Sequence, residues 1–154
     1  MKLPRYLATL LAALLIAAFT LTSASSAFAR DVVSFRSDYR PGTIVVATGA
    51  RKLFFVLNRK QAIRYPVGVG KAGMAWHGRA YIAQKHIRPA WVRVPGKTRT
   101  IPGGSPRNPM GAAAMGLDRG NYAIHGTNNP GSIGGFVSHG CIRMYNADIM
   151  DLYR

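Results

Sequence analysis

The chain has 154 residues, 21 of them Lys or Arg against 5 acidic ones, for a formal net charge of +16. A chain of that length has room for one hydrophobic core and excludes a multidomain architecture. All five acids are Asp and no Glu occurs, which disfavours general-acid chemistry built on a Glu, as in the cleavage of glycan strands.

At the N-terminus, Lys2 and Arg5 precede an uncharged apolar stretch from Tyr6 to Leu21, and a small, polar segment ends in Ala27-Phe28-Ala29. A positive start, an apolar run and an A-x-A end make residues 1–29 a signal peptide cleaved near Ala29. The apolar run is shorter than the roughly 20 residues that a spanning helix needs. The mature chain is expected in the periplasm or the extracellular cell wall, with membrane contact only through the transient leader. Taking Lys2 and Arg5 from the 21 basic residues and setting the rest against 5 acids leaves about +14. The basic residues are scattered, in pairs such as Arg51-Lys52 and Arg59-Lys60. That pattern on an exported chain suits anionic envelope polymers and not nucleic acid.

Residues 30–41 read as a lead-in to the domain that follows, residues 42–154. Thr43-Ile-Val-Val-Ala47 is β-branched and apolar, and Leu53-Phe-Phe-Val-Leu57 and Ala62-Ile-Arg-Tyr-Pro-Val67 follow after short turns. Tyr81 to Ile87 and Trp91 to Val94 complete a series of short strands at even spacing, the pattern of an antiparallel sandwich or barrel. Pro95 to Pro109, with four prolines and three glycines, reads as a surface loop. A short helix is expected after residue 145, capped by Asn146, with Asp148 in its first turn and Ile149, Leu152 and Tyr153 on one face. The fold class is mainly β with one or two short helices.

Two patterns are decoys. Gly68-Val-Gly70-Lys-Ala-Gly73 matches G-x-G-x-x-G, but no helix signal follows and no acid lies between Asp38 and Asp118, so it reads as a glycine-rich strand exit. The histidines 77, 86, 125 and 139 have no metal-ligand spacing with each other or with the lone cysteine, so no metal and no cofactor are expected.

The chemistry is expected in the last thirty residues. Cys141 is the only cysteine of the chain, and an unpaired thiol in an oxidising compartment is a hazard unless it has a chemical task. The thiolate is the reactive form, and a neighbouring imidazole or exposed backbone N–H groups lower a thiol's pKa. Gly140 lets the chain turn sharply ahead of Cys141 and bring main-chain amides to the sulfur, where they would also stabilise an oxyanion. His125 ends the apolar run Tyr122-Ala-Ile124 and is a candidate base. His139, two residues from Cys141, is a rival base on spacing alone.

His125-Gly126-Thr127 followed by Ser138-His-Gly-Cys-Ile-Arg-Met144 resembles the active-site signature of the L,D-transpeptidase catalytic domain, the YkuD family. Gly68-Val-Gly-Lys-Ala72, Pro89-Ala-Trp91, Asn108-Pro-Met-Gly111 and Gly116-Leu117 are similar to further landmarks in the same order, so the resemblance spans residues 42–154. It implies that Cys141 is the nucleophile and that His125 is the base, oriented by the Gly126 carbonyl. It also implies that Ser138, His139 and Gly140 shape the oxyanion region, and that Arg143 and Thr127 meet the substrate, a guanidinium being suited to a carboxylate. The implied substrate is a peptidoglycan stem peptide, cleaved before D-alanine at position four and joined to an amine of a second stem as a 3→3 cross-link. Water, a free amino acid or a protein lysine remain open as acceptors, and a catalytically silent wall-binding module is the reading from another class. Two departures stand out. Ala75-Trp76-His77-Gly78 replaces a family Thr-Pro-x-Gly stretch, and the chain stops at Arg154 before a family terminal strand, which is expected to leave a sheet edge open.

Overall fold

The computed structural model describes residues 31–92 and 100–154. The leader expected over residues 1–29, and residues 93–99 with the end of the strand expected from Trp91, lie outside the described residues.

The first sheet is built by alternation. Strands β1 (Val32–Ser34), β2 (Ile44–Ala47), β3 (Lys52–Asn58) and β4 (Gln61–Pro66) pair in the order β1-β4-β3-β2, antiparallel throughout. The β3–β4 register sets Leu53 opposite Tyr65 and Phe55 opposite Ile63, so every second residue enters the core. The outer face carries a stacked pair, Phe35 on Phe54, with ring centroids 4.8 Å apart. β1 comes from the stretch read as a lead-in, and Arg64 ties it down: its Nε donates to Asp31 at 2.8 Å across an exposed surface.

A short β5 (Val69–Gly70) leads through a turn to β6 (Ile82–Ile87). No helix follows the glycine run: Met74 N–H closes a turn on Lys71 O at 2.9 Å. Next come β7 (Trp91–Val92) and β8 (Thr100–Ile101), a two-stranded ribbon, so the predicted loop from Pro95 to Pro109 contains a strand. Buried Asn108 fastens the remainder. Its Nδ2 donates to Pro89 O at 2.8 Å and to Pro102 O at 3.1 Å, and its Oδ1 accepts from Met110 N–H at 2.9 Å.

The second sheet joins β9 (Ala113–Leu117), β10 (Ala123–His125) and β12 (Ile142–Arg143) to β6 in the order β12-β10-β9-β6, while β11 (Phe136–Ser138) pairs with β5. The β10–β12 and β11–β5 pairings are parallel, in an otherwise antiparallel fold. Ala113, Met115, Ile124 and Ile142 face Leu53, Ile63, Tyr65 and Val67 in one core. Helix α1 (Asn146–Tyr153) closes it with Ile149, fully buried, and Tyr65 donates its hydroxyl to Asp151 at 2.6 Å. β6 forms the outer edge of the second sheet, and all six of its residues are exposed.

Asn146 does not cap α1 as the sequence predicts. Tyr145 holds the N-cap position without a side-chain bond, and the Asn146 side chain is used elsewhere.

Candidate active site

The site forms where β10 and β12 run side by side. Their register pairs Ile124 with Ile142 and His125 with Arg143. The two isoleucines enter the core, so alternation turns His125 and Arg143 to the opposite face. Cys141 precedes β12 by one residue, and its thiol reaches back to the start of β10. Sγ lies 3.9 Å from Asn121 O and receives the Ala123 N–H.

His125 is buried and its ring is fixed. Nδ1 lies 2.6 Å from Gly126 O. A carbonyl only accepts, so Nδ1 carries the proton and Nε2 presents its lone pair. Burial lowers the imidazole pKa to about 4, and the Arg143 charge lowers it too, against the Gly126 bond, which raises it. The ring is neutral through the physiological range.

The Gly126 carbonyl is held by a junction that sequence reasoning missed. Asn146 Oδ1 accepts from Thr127 N–H at 3.1 Å and from Ala112 N–H at 3.0 Å. One amide thereby ties α1 to the loop after His125 and to the approach to β9. Gly111 and Gly126 make room for it, since a methyl group on either would collide with Asn146 Oδ1. Thr127 is buried in this junction, where its Oγ1 accepts from Asn129 N–H at 3.0 Å.

Ser138 shapes the turn before the thiol. Its hydroxyl donates to Cys141 O at 2.6 Å and accepts from Gly140 N–H at 3.0 Å. The Gly140 amide is therefore occupied, whereas the Cys141 N–H, like that of His139, has no acceptor among the described residues. Gly140 has φ +121°, and a Cβ there would strike the Tyr122 ring, so both the turn and the contact demand glycine. His139 is exposed, and His86 likewise.

The thiol departs from expectation. Burial pushes the Cys141 pKa up, although the Ala123 N–H and the Arg143 charge both pull it down. The resting pair is a neutral thiol with a neutral imidazole, not a preformed thiolate. Among the described residues no three His, Cys, Asp or Glu side chains gather as a metal site would require. A cavity of about 310 Å³ opens beside the site, between Arg88, Pro106, Asn108, Thr127, Asn128 and Asn146.

The family model of the L,D-transpeptidase catalytic domain, YkuD, matches residues 41–154. The chain is 39% identical over 113 residues to YkuD of Bacillus subtilis, assigned as an L,D-transpeptidase, covering 73% of this chain and 58% of that one. To ErfK/SrfK of Escherichia coli, likewise assigned, it is 33% identical over 129 residues, covering 74% of this chain and 40% of that one. A solved Brucella melitensis structure, described as a carnitine operon oxidoreductase, superposes with a TM-score of 0.56 at 38% identity, covering 85% of this chain and 89% of the other. An L,D-transpeptidase of Mycobacterium smegmatis superposes with a TM-score of 0.54 at 20% identity, over 71% of this chain and 52% of the other, a likeness of fold alone. The chain belongs to the L,D-transpeptidase catalytic-domain family. It spans about three fifths or less of the length of the two curated relatives.

Proposed function

We propose that this chain is an exported cysteine acyltransferase acting on peptidoglycan stem peptides, with Cys141 as nucleophile and His125 as base. The observation that carries the reading is the fixed imidazole. Its Nδ1–H is bound to the Gly126 carbonyl at 2.6 Å, which leaves Nε2 basic on the strand that Cys141 adjoins.

Both partners rest neutral, so proton transfer accompanies attack. Nε2 takes the thiol proton as sulfur bonds to the carbonyl carbon between stem positions three and four. The carbonyl electrons move to oxygen, and the Cys141 N–H donates a hydrogen bond to the oxyanion. They return as the C–N bond breaks, and D-alanine leaves with the proton from His125. The resulting thioester is attacked by the side-chain amine of a second stem. His125 removes the amine's proton, the thiol is expelled and reprotonated, and a 3→3 cross-link forms. Arg143 pairs with His125 in the ladder and its charge acts on both His125 and Cys141, so it suits a role of receiving the substrate carboxylate. The scattered positive charge favours approach to an anionic wall, in the periplasm or the extracellular cell wall, and wall binding should weaken as salt rises.

Incubation with isolated muropeptides followed by mass spectrometry tests the proposal. Cross-linked dimers with loss of D-alanine are expected. Trimmed monomers alone would make water the acceptor and the protein a carboxypeptidase. Unchanged muropeptides, with the protein bound to walls, would make it a silent binding module.

A further inference from the structure

One group beside the thiol has no part in the proton transfer. Trp76 stands where the sequence departs from the family pattern, and its indole Nε1–H donates to Gly140 O at 3.0 Å, across 64 positions of sequence. The indole ring has two further contacts. Tyr122 stacks on it with centroids 5.6 Å apart and planes 11° from parallel, and the Arg119 guanidinium lies 5.2 Å from its centroid. Tyr122 in turn packs against Gly140 so closely that no Cβ fits there. The indole thus has a defined position, and so does the carbonyl that it binds.

That carbonyl shares a peptide plane with the Cys141 N–H. In a trans peptide the C=O and the N–H point in opposite directions. Fixing the Gly140 oxygen on the Trp76 side therefore turns the Cys141 N–H away from the aromatic stack. The groups on either side of that peptide are committed: Ser138 Oγ takes the Gly140 N–H and donates to the Cys141 carbonyl. Rotating the Gly140–Cys141 peptide would break the indole bond, and the left-handed φ of Gly140 makes such a rotation sterically accessible unless something opposes it. The indole opposes it.

We infer that Trp76 is a positioning residue that aims the Cys141 backbone N–H at the oxyanion of the tetrahedral intermediate, with Tyr122 and Arg119 holding the indole in place. This rests on the acyl-transfer reading above and adds to it a residue that never touches the substrate. An acyl carbon bonded to Sγ is separated from the Cys141 nitrogen by the sulfur, Cβ and Cα alone, so its oxygen falls within reach of a correctly turned N–H. A misdirected N–H leaves the negative charge without its donor, and loss of one such donor costs about 10²–10³-fold in rate.

The test separates two reactions of the same sulfur. Acylation by a carbapenem passes through an oxyanion, whereas alkylation by iodoacetamide does not. Both are followed by mass spectrometry on the full chain. Trp76→Phe keeps an aromatic ring and removes the N–H. It should slow acylation about 10- to 100-fold, on the scale of a weakened oxyanion donor, and leave alkylation within about twofold. Where Phe disturbs folding, Trp76→benzothienylalanine keeps the indole shape and lacks the N–H. Acylation unchanged in either variant, or acylation and alkylation slowed equally, would overturn the inference. Wild-type protein that iodoacetamide alkylates and a carbapenem never acylates would instead overturn the acyl-transfer reading on which it stands.

Discussion

The two sheets share one core and are built on opposite rules. In the first, β1 to β4 pair antiparallel, inward and outward residues alternate, and the inner face is apolar from Ile44 to Tyr65. In the second, the strands are shorter, one pair runs parallel, and β10 ends in a buried histidine. Burial of an imidazole costs free energy that Leu53 or Val56 never incurs. The second sheet accepts that cost through the Gly126 carbonyl and the Asn146 junction, and gains an imidazole of fixed tautomer. The first sheet is regular scaffold, and the second trades regularity for a buried, oriented imidazole.

That contrast breaks most sharply at the thiol. Cys141→Ser should lose turnover by about a thousandfold or more while leaving the fold intact, because an alcohol is far harder to deprotonate than a thiol. Retained turnover, measured with the same muropeptides, would move the nucleophile elsewhere. His125→Ala should cost about 10²–10⁴-fold, the usual worth of a positioned base. His139→Gln serves as its control below.

The pH dependence follows from the buried imidazole. With the His125 pKa lowered to about 4, the base stays competent down to that pH, and kcat/KM should fall about tenfold per unit below it. An acid limb near 6.5, the ordinary imidazole value, would point to an exposed histidine instead. For stability the unfolded chain binds the proton more tightly than the folded one. The folded state is thus fully favoured above the ordinary value of 6.5 and loses ground as pH falls from there to about 4. The loss is on the order of 3 kcal/mol, readable as a shift of the denaturant midpoint.

A matched pair sharpens the comparison of the sheets. Leu53→Ala should cost about 2–5 kcal/mol of stability and leave turnover per folded molecule unchanged. Asn146→Ala should cost less, about 1–3 kcal/mol for the part-buried Thr127 amide left without an acceptor while the exposed Ala112 amide turns to water, yet lower kcat about tenfold by freeing the Gly126 carbonyl and the ring that it orients. Equal kcat in both variants would reduce Asn146 to a structural role. The smallest effect is expected of His139→Gln, which should change turnover by less than about twofold, because that side chain is exposed.

The first sheet is legible in the sequence because alternation with β-branched residues is a local signal, and its strands β2 to β4 fall within a residue or two of their predicted ends. The signature names the thiol and His125 for the same reason: residue types at fixed spacing survive without coordinates. Parallel pairing between β10 and β12 leaves no local trace, and β9, with Ala-Ala-Met-Gly-Leu, has little β propensity of its own and is made a strand by its neighbours. Asn146 reads as a cap because caps are the commonest use of Asn before a helix, and only the fold brings Ala112 and Thr127 within its reach. The direction of the thiol's pKa escapes a sequence reading because charges and donors can be counted along a chain, whereas burial cannot.

The Asn146 junction has a consequence for how the molecule breathes. A single side-chain oxygen closes the amides of Ala112 and Thr127, which lie in separate segments of the chain. Undocking of α1 removes that oxygen and releases both amides together. In deuterium the two N–H groups should therefore exchange as one unit, at a common opening free energy set by the undocking of α1. The same event frees the Gly126–Thr127 peptide whose carbonyl orients the His125 ring, so the oriented imidazole and that closed pair share one lifetime.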